Sequence, residues 1–274
     1  MKYKEMVPGK EIPVLGLGTW TMGGRQVEDH TWDEENIQAI RVAIELGLTH
    51  IDTAEHYGAG HAEELVGKAI EPYDRDELFI TTKVWRTNLH YDDVIQSMKG
   101  SLKRLGLDYV DLFLQHWPNP RITLDENMKA LEHCAEEGYT RYIGVSNFSE
   151  ELMREAQGYL EDHSLVANQV EYSLTDQKPK MNLLPYMQNH NKLLVAYTPL
   201  AKGKLAKPGY ETLDEMAEKY DRSQAQIALN WLITQENVVA IPKSSNPVHL
   251  LEIAGAADFE LSEEDALTLA DSFI

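Results

Sequence analysis

Short apolar runs alternate with longer amphipathic stretches along the chain. The apolar runs are nearly uninterrupted, which is typical of parallel strands that are buried on both faces. This pattern predicts eight strands, at residues 14–18, 50–52, 78–83, 109–114, 142–145, 167–171, 193–197 and 238–241.

The stretches between these strands repeat apolar residues at helical spacing. They predict helices that include residues 36–46, 62–70, 92–105, 124–137 and 223–234, and another that opens after Asn246. Glycines at 47, 106 and 138 follow three of them as stop signals. Residues 262–273 predict a final helix, with Ser262 as N-cap and Asp265 completing a weak capping box.

Eight alternations of strand and helix predict an α/β fold, a closed (β/α)8 TIM barrel. The turn signal Pro8-Gly9 inside residues 6–12 predicts an N-terminal β-hairpin that caps the barrel floor. We expect a single domain over residues 1–274. The alternative is an open doubly wound sheet, which usually shows G-x-G-x-x-G after its first strand; residues 16–20, Gly-Leu-Gly-Thr-Trp, lack the third glycine.

Composition supports a soluble protein and excludes several partners. The chain has 274 residues, 43% of them apolar, and barrels of this type run to about 250 residues. The formal net charge of -20 disfavours nucleic acid and anionic membranes, whose binding relies on lysine and arginine. An anionic cofactor must therefore be held by a few local cations.

The amino-terminal sequence and the cysteine content indicate the cellular compartment of the protein. The first residues are charged and lack the apolar stretch of a signal peptide, and no window is apolar enough to cross a membrane. The lone Cys134 cannot form an internal disulfide and is expected to pack inside a helix. We therefore expect a cytoplasmic protein.

Four polar, titratable residues follow three consecutive predicted strands: Asp52, Tyr57, Lys83 and His116. Singly, each has an ordinary structural interpretation: a helix cap, half-buried packing, a lysine reaching water, a surface imidazole. Together they gather an acid, a phenol, an ammonium and an imidazole at the carboxyl ends of barrel strands, where barrel enzymes place their active sites.

The motifs Asp-Thr-Ala-x-x-Tyr-Gly at 52–58, the strand-end Lys83 and His-Trp-Pro at 116–118 resemble the aldo-keto reductase family, in particular its short-loop, prokaryotic-type members. The resemblance covers essentially the whole chain. It implies an oxidoreductase that reduces aldehydes or ketones with NAD(P)H. Tyr57 would then be the general acid, Lys83 and Asp52 would tune its pKa, and His116 would orient the carbonyl.

The resemblance also implies cofactor contacts. These would come from Gly18, Thr19, Asp52, Ser146, Asn147, Gln169, Tyr197, Thr198, Leu200, Lys243, Ser244, His249 and Glu252. The family usually has an arginine where this chain has His249, and an asparagine at Ile253. A mostly neutral imidazole does not replace a bidentate guanidinium on a 2'-phosphate. The cofactor is therefore NADP or NAD, and this departure from the family pattern is consistent with dual use or with a bias toward NAD.

Three tryptophans match positions that line the family's substrate pocket: Trp20, Trp85 and Trp117, beside Tyr57 and His116. Plain packing is the alternative for each. The short loop after His116 favours an open site for small carbonyls, and we expect a small-molecule substrate, no metal, and a monomer or weak homo-oligomer. The competing functions are a cofactor-binding regulatory subunit of the same fold, and a barrel isomerase or phosphate-dependent lyase.

Overall fold

A barrel of eight parallel strands forms the centre of the computed structural model, which describes residues 1–273. Each strand pairs with the next along the chain, and the single bridge between Leu15 and Ala240 closes the sheet. The strands are β3 (Leu17–Gly18), β4 (His50–Asp52), β5 (Phe79–Val84), β6 (Val110–Gln115), β7 (Thr140–Ser146), β8 (Leu165–Glu171), β9 (Leu193–Tyr197) and β10 (Val238–Ala240). The predicted (β/α)8 barrel is confirmed.

The first barrel strand is shorter than the sequence predicts. Residues 14–18 were expected to be extended throughout, but only Leu17 and Gly18 pair regularly with β4. Residues 14–16 instead contact the last strand, where Gly16 N donates to Ala240 O at 2.9 Å and Ala240 N donates to Val14 O at 3.0 Å. This segment closes the barrel, so its pairing is divided between two neighbours.

Ten α-helices flank the sheet within residues 1–273. They are α1 (Asp33–Glu45), α2 (His61–Ile70), α3 (Tyr91–Leu105), α4 (Leu124–Glu136), α5 (Glu150–Gln157), α6 (Leu183–Asn189), α7 (Glu211–Tyr220), α8 (Gln224–Ile233), α9 (Pro247–Gly255) and α10 (Glu263–Asp271). The predicted stop signals Gly47, Gly106 and Gly138 all have positive φ. No helix in this range is long and apolar enough to cross a membrane.

The last helix begins as predicted, but its capping box is incomplete. Ser262 Oγ accepts from Asp265 N at 3.2 Å, so the N-cap is present. The Asp265 carboxylate does not reach back to Ser262 N, which donates to Tyr220 Oη instead. Asp265 accepts from Lys219 Nζ at 2.8 Å and from Tyr220, because these side chains of α7 lie against the start of α10.

The predicted hairpin closes the bottom of the barrel. Strands β1 (Tyr3–Val7) and β2 (Lys10–Pro13) pair in antiparallel fashion. Met6 and Ile12 are buried against a cluster that includes Phe79 and Leu193, residues at the amino ends of β5 and β9. With the floor filled by apolar side chains, the opposite end of the barrel is left for polar groups.

Candidate active site

A groove of about 740 Å³ opens at the carboxyl ends of the strands. It brings together nearly all the site residues that the sequence predicts. Those that line it are Gly18, Trp20, Asp52, Tyr57, Trp85, His116, Trp117, Ser146, Asn147, Gln169, Tyr197, Thr198, Leu200, Lys243, Ser244, His249 and Glu252. Two predicted residues are not part of the lining, Thr19 and Lys83.

Lys83 lies behind the groove and forms hydrogen bonds with two groups that line it, the Asp52 carboxylate and the Tyr57 hydroxyl. Its Nζ donates to Asp52 Oδ2 at 2.7 Å and to Tyr57 Oη at 3.3 Å. A third bond, to Thr53 O at 2.7 Å, fills the remaining donor position. Lys83 and Asp52 are buried, and they lie at or near the carboxyl ends of the neighbouring strands β5 and β4, where Asp52 pairs with Thr81. The ammonium is therefore fixed against the phenol.

Tyr57 begins a tight turn, Tyr57–Gly60, that follows β4. This turn packs against the loop after β3, and a Cβ at Gly58 would meet Gly23 O at 2.2 Å. Gly58 also has a φ of 56°, which favours glycine. The glycine after the tyrosine in the Asp-Thr-Ala-x-x-Tyr-Gly motif is thus required for Tyr57 to point into the groove.

Burial dominates the electrostatics of this trio. It raises the pKa of Tyr57 well above the ordinary 10.0, and the charge of Asp52 raises it further. Burial also lowers the pKa of Lys83 and raises the pKa of Asp52, while their mutual ion pair opposes both shifts. From the sequence we expected Lys83 to make the phenol more acidic. In the structure the pKa of Tyr57 is raised instead, because burial of the phenol and the nearby Asp52 charge both favour its neutral form.

His116 stands across from Tyr57, directly after β6. The two ring centroids lie 5.5 Å apart, and the Trp85 ring centroid lies 5.1 Å from that of His116. Burial lowers the pKa of His116 well below 6.5, and the charge of Lys83 lowers it further. The imidazole is therefore neutral and can form hydrogen bonds with an uncharged oxygen.

A hydrogen-bonded layer of amides joins this centre to the second half of the barrel. Asn147 Nδ2 donates to His116 O at 3.0 Å, and its Oδ1 accepts from Tyr197 Oη at 2.8 Å. Ser146 Oγ donates to Gln169 O at 2.8 Å, while Gln169 Nε2 donates to Asp52 Oδ1 at 2.7 Å. The layer therefore holds both Asp52 and Tyr197 in place.

The far end of the groove is cationic. The predicted residues Lys243, Ser244, His249 and Glu252 lie there, around the start of α9. Lys202 and Lys207, which sequence reasoning missed, also line the groove. In a chain of net charge -20, a long groove with a lysine-rich end and an amide-rich end fits a dinucleotide with its phosphates.

Aromatic rings form the mouth. Trp20 and Trp117 are 41% and 38% exposed, so a large part of each ring faces solvent. Trp85 is stacked on His56, with ring centroids 3.6 Å apart and planes 2° from parallel. An apolar side chain of a substrate could therefore contact these rings while its polar group reaches Tyr57 and His116.

The sequence-based prediction of the groove lining was incomplete in two ways: it included Thr19, which does not line the groove, and it left out several residues that do. Thr19 is fully buried and its Oγ1 donates to Asp52 O at 3.0 Å, so its side chain braces β4 rather than facing the groove. His56, Thr21 and Gln26 line the groove but were not predicted. His56 occupies a variable position of the Asp-Thr-Ala-x-x-Tyr-Gly motif, directly before Tyr57. Its place in the motif could have indicated that it lies near the groove.

Comparison with known proteins agrees with this geometry. The model of the Aldo/keto reductase family matches residues 14–272. Methylglyoxal reductase YeaE of Escherichia coli is 34% identical over 96% of this chain and 91% of its own length. Glyoxal reductase of Bacillus subtilis is 37% identical over 94% of this chain and 87% of its own length.

Solved structures show the same architecture. A thermostable aldo-keto reductase in complex with the inhibitor epalrestat superposes with a TM-score of 0.96 at 46% identity, covering 99% of this chain and all of that one. An aldo/keto reductase from Klebsiella pneumoniae, in complex with NADP and acetate, has a TM-score of 0.88 at 36% identity. That alignment covers 96% of this chain and 92% of the Klebsiella protein.

Proposed function

The chain belongs to the aldo/keto reductase family, and we propose that it reduces small aldehydes and ketones, short dicarbonyl compounds among them, with NADPH as the preferred hydride donor. The observation that carries the proposal is the buried Asp52–Lys83–Tyr57 chain, which ends in a phenol that faces His116 across an open groove.

Tyr57 is the proposed proton donor. Reduction of a carbonyl leaves an alkoxide oxygen that needs a proton, and a phenol that is protonated at neutral pH can supply it. The ion pair behind Tyr57 then stabilises the phenolate that remains, because Lys83 Nζ lies 3.3 Å from the phenol oxygen. In the oxidative direction the same phenolate would accept the proton.

His116 is the proposed orienting group. Its low pKa favours a neutral imidazole, which donates a hydrogen bond to the carbonyl oxygen without competing as an acid. The bond from Asn147 Nδ2 to His116 O supports this assignment, since it fixes the backbone that carries the ring.

A bound nicotinamide cofactor supplies the hydride. The groups suited to its nicotinamide end are Ser146, Asn147, Gln169 and the ring of Tyr197, with Gly18, Thr198 and Leu200 beside them. Lys243, Ser244, His249 and Glu252 are suited to the adenosine end, and Lys202 and Lys207 add positive charge along the groove. Three lysines favour the additional phosphate of NADP, and the NADP complex of the Klebsiella relative supports the same preference.

The aromatic mouth favours a small carbonyl compound without hydroxyl or charged groups. Trp20, Trp85 and Trp117 surround the approach to Tyr57 and offer few hydrogen-bond partners. Relatives named methylglyoxal reductase and glyoxal reductase support short dicarbonyls as the first class to test.

The test is an initial-rate screen of methylglyoxal, glyoxal, simple aldehydes and sugars with NADPH and NADH in parallel. Tyr57→Phe should lower kcat by about 10²–10⁴-fold while the Kd of NADPH changes little. Tyr186→Phe is the matched control, because it removes the same hydroxyl from a buried tyrosine on α6 that lies outside the groove. Near-normal turnover in Tyr57→Phe, or no carbonyl reduction by the wild type, would contradict the proposal.

A further inference from the structure

Two imidazoles and a carboxylate meet beside the groove, apart from the residues used above. His30 lies in the loop between β3 and α1, Asp33 is the first residue of α1, and His61 is the first residue of α2. His61 Nε2 lies 2.8 Å from Asp33 Oδ1, and His30 Nδ1 lies 3.1 Å from Asp33 Oδ2. We propose that these three side chains bind a divalent transition-metal ion, with Zn²⁺ as the reference.

The spacing of the three groups fits one ion. Their potential ligand atoms all lie within 4.8 Å of one another. Tetrahedral coordination at about 2.0–2.1 Å separates ligand atoms by roughly 3.3–3.4 Å. The separations of 2.8 and 3.1 Å join the two imidazoles to different oxygens of Asp33, so the carboxylate lies between the rings and one ion could be shared by all three groups after small side-chain shifts. Imidazole with carboxylate suits Zn²⁺, Ni²⁺ or Cu²⁺ better than Mg²⁺ or Ca²⁺.

An independent feature is the second carboxylate beside each imidazole. His61 Nδ1 lies 2.9 Å from Glu64 Oε2, and His30 Nε2 lies 3.4 Å from Glu28 Oε2. Histidines that bind metals almost always donate their other ring N–H to a carboxylate or carbonyl, which fixes the tautomer and strengthens the ligand. Both imidazoles here have such a partner on the nitrogen that faces away from Asp33.

Burial and charge also favour a cation. The His61 side chain is 1% exposed, whereas His30 is 61% exposed, so the site has one rigid ligand and an open side for entry. Residues 26–40 contain no lysine or arginine, but they include Glu28, Asp29 and Asp33. Spacing along the chain does not indicate this site, because His30 and His61 come together only when the first two helices pack side by side.

The position suggests what the ion does. It would join the loop before α1 to the start of α2, four residues after Tyr57. The same loop carries Gln26, which lines the groove. A metal at this point braces the rim of the active site, so its binding raises the thermal stability of the protein.

The experiment uses untagged protein that has been treated with EDTA, dialysed and titrated with ZnCl₂ by calorimetry. We expect one saturable equivalent and an increase in Tm, because a ligand that binds only the folded state stabilises it. His30→Ala and Asp33→Asn should each weaken binding by about tenfold or more, and Glu64→Gln by about 10–100-fold. His90→Ala is the matched control: His90 is also exposed, at 59%, and pairs with Glu126.

Two results would overturn the proposal. One is the absence of saturable Zn²⁺ binding in the wild type. The other is equal affinity in His30→Ala and His90→Ala, which would mean that the ion binds elsewhere. Because His30 is exposed, its replacement should leave the fold intact, and a circular dichroism melt of each variant without metal checks this.

Discussion

Replacement of Lys83 by methionine is the most informative perturbation of the buried trio, since it separates stability from catalysis. The lysine makes three hydrogen bonds, to Asp52, Thr53 and Tyr57, and the ammonium is completely buried. Methionine has a similar length but no charge. The Asp52 carboxylate would retain only the bond from Gln169 Nε2 to its Oδ1.

The expected loss of stability is about 3–5 kcal/mol near neutral pH, because removing one partner of a buried ion pair leaves an uncompensated charge. Burial already raises the pKa of Asp52, and without Lys83 only the hydrogen bond from Gln169 opposes that effect. A carboxyl whose folded pKa exceeds its unfolded value loses stability as pH rises through the folded pKa. The loss of unfolding free energy caused by Lys83→Met should therefore be smaller at pH 5 than at pH 8.

Urea denaturation at these two pH values measures the deficit, and initial rates measure the reductase activity. Activity should fall by about 10²–10⁴-fold at both. Asp52→Asn/Lys83→Met should regain part of the stability but none of the activity. Lys192→Met is the control, because Lys192 is buried and bonds to Leu165 O and Gln157 Oε1 without a carboxylate partner. A Lys83→Met variant as stable as the wild type at pH 8, or as active, would refute the reasoning.

Three further predictions concern the rest of the groove and the last helix. Trp20→Ala and Trp117→Ala should change the ranking of carbonyl substrates more than the Kd of NADPH; an unchanged ranking with lower stability would favour a packing role. His249→Arg should tighten NADPH by about 1.5–3 kcal/mol and NADH much less, as measured by fluorescence quenching; equal changes for both would place His249 away from the 2' position. Hydrogen bonds from Lys219, Tyr220 and Ser262 lower the pKa of Asp265 to about 2 from 3.8. The stability contributed by Asp265 is therefore present above about pH 4 and lost toward pH 2, so the difference in Tm between wild type and Asp265→Asn should shrink over that range.

The strands could be predicted because parallel barrel strands are buried on both faces. Every residue of β5 and β6 is buried, and this produces the apolar runs that the pattern detects. The first strand was predicted too long because residues 14–16 are apolar as a result of burial, although they do not pair with β4. Leu15 is as buried as Leu17, but it forms a single bridge with Ala240 while Leu17 pairs regularly with Ile51.

The grouping of the four titratable residues was also predictable, since the carboxyl ends of parallel strands meet at one end of a barrel. Lys202 and Lys207 were not, because they reach the groove through backbone geometry. Lys202 and Gly203 have φ angles of 58° and 86° within the turn at residues 201–206, and this turn lines the groove. Sequence patterns report the burial of regular elements, and such a turn has no periodicity to detect.

The state of Tyr57 shows why the neighbours of a residue matter as much as its motif. A lysine beside a phenol favours ionisation, so the motif alone predicts a more acidic tyrosine. Asp52 lies 2.7 Å from the same ammonium, however, and the pair has little net charge, so burial of the phenol outweighs it. In the proposed role this balance is useful. The phenol retains its proton until negative charge develops on the carbonyl oxygen, and an alkoxide is a much stronger base than a phenolate. The proton then moves downhill to the alkoxide, and Lys83 stabilises the phenolate that forms.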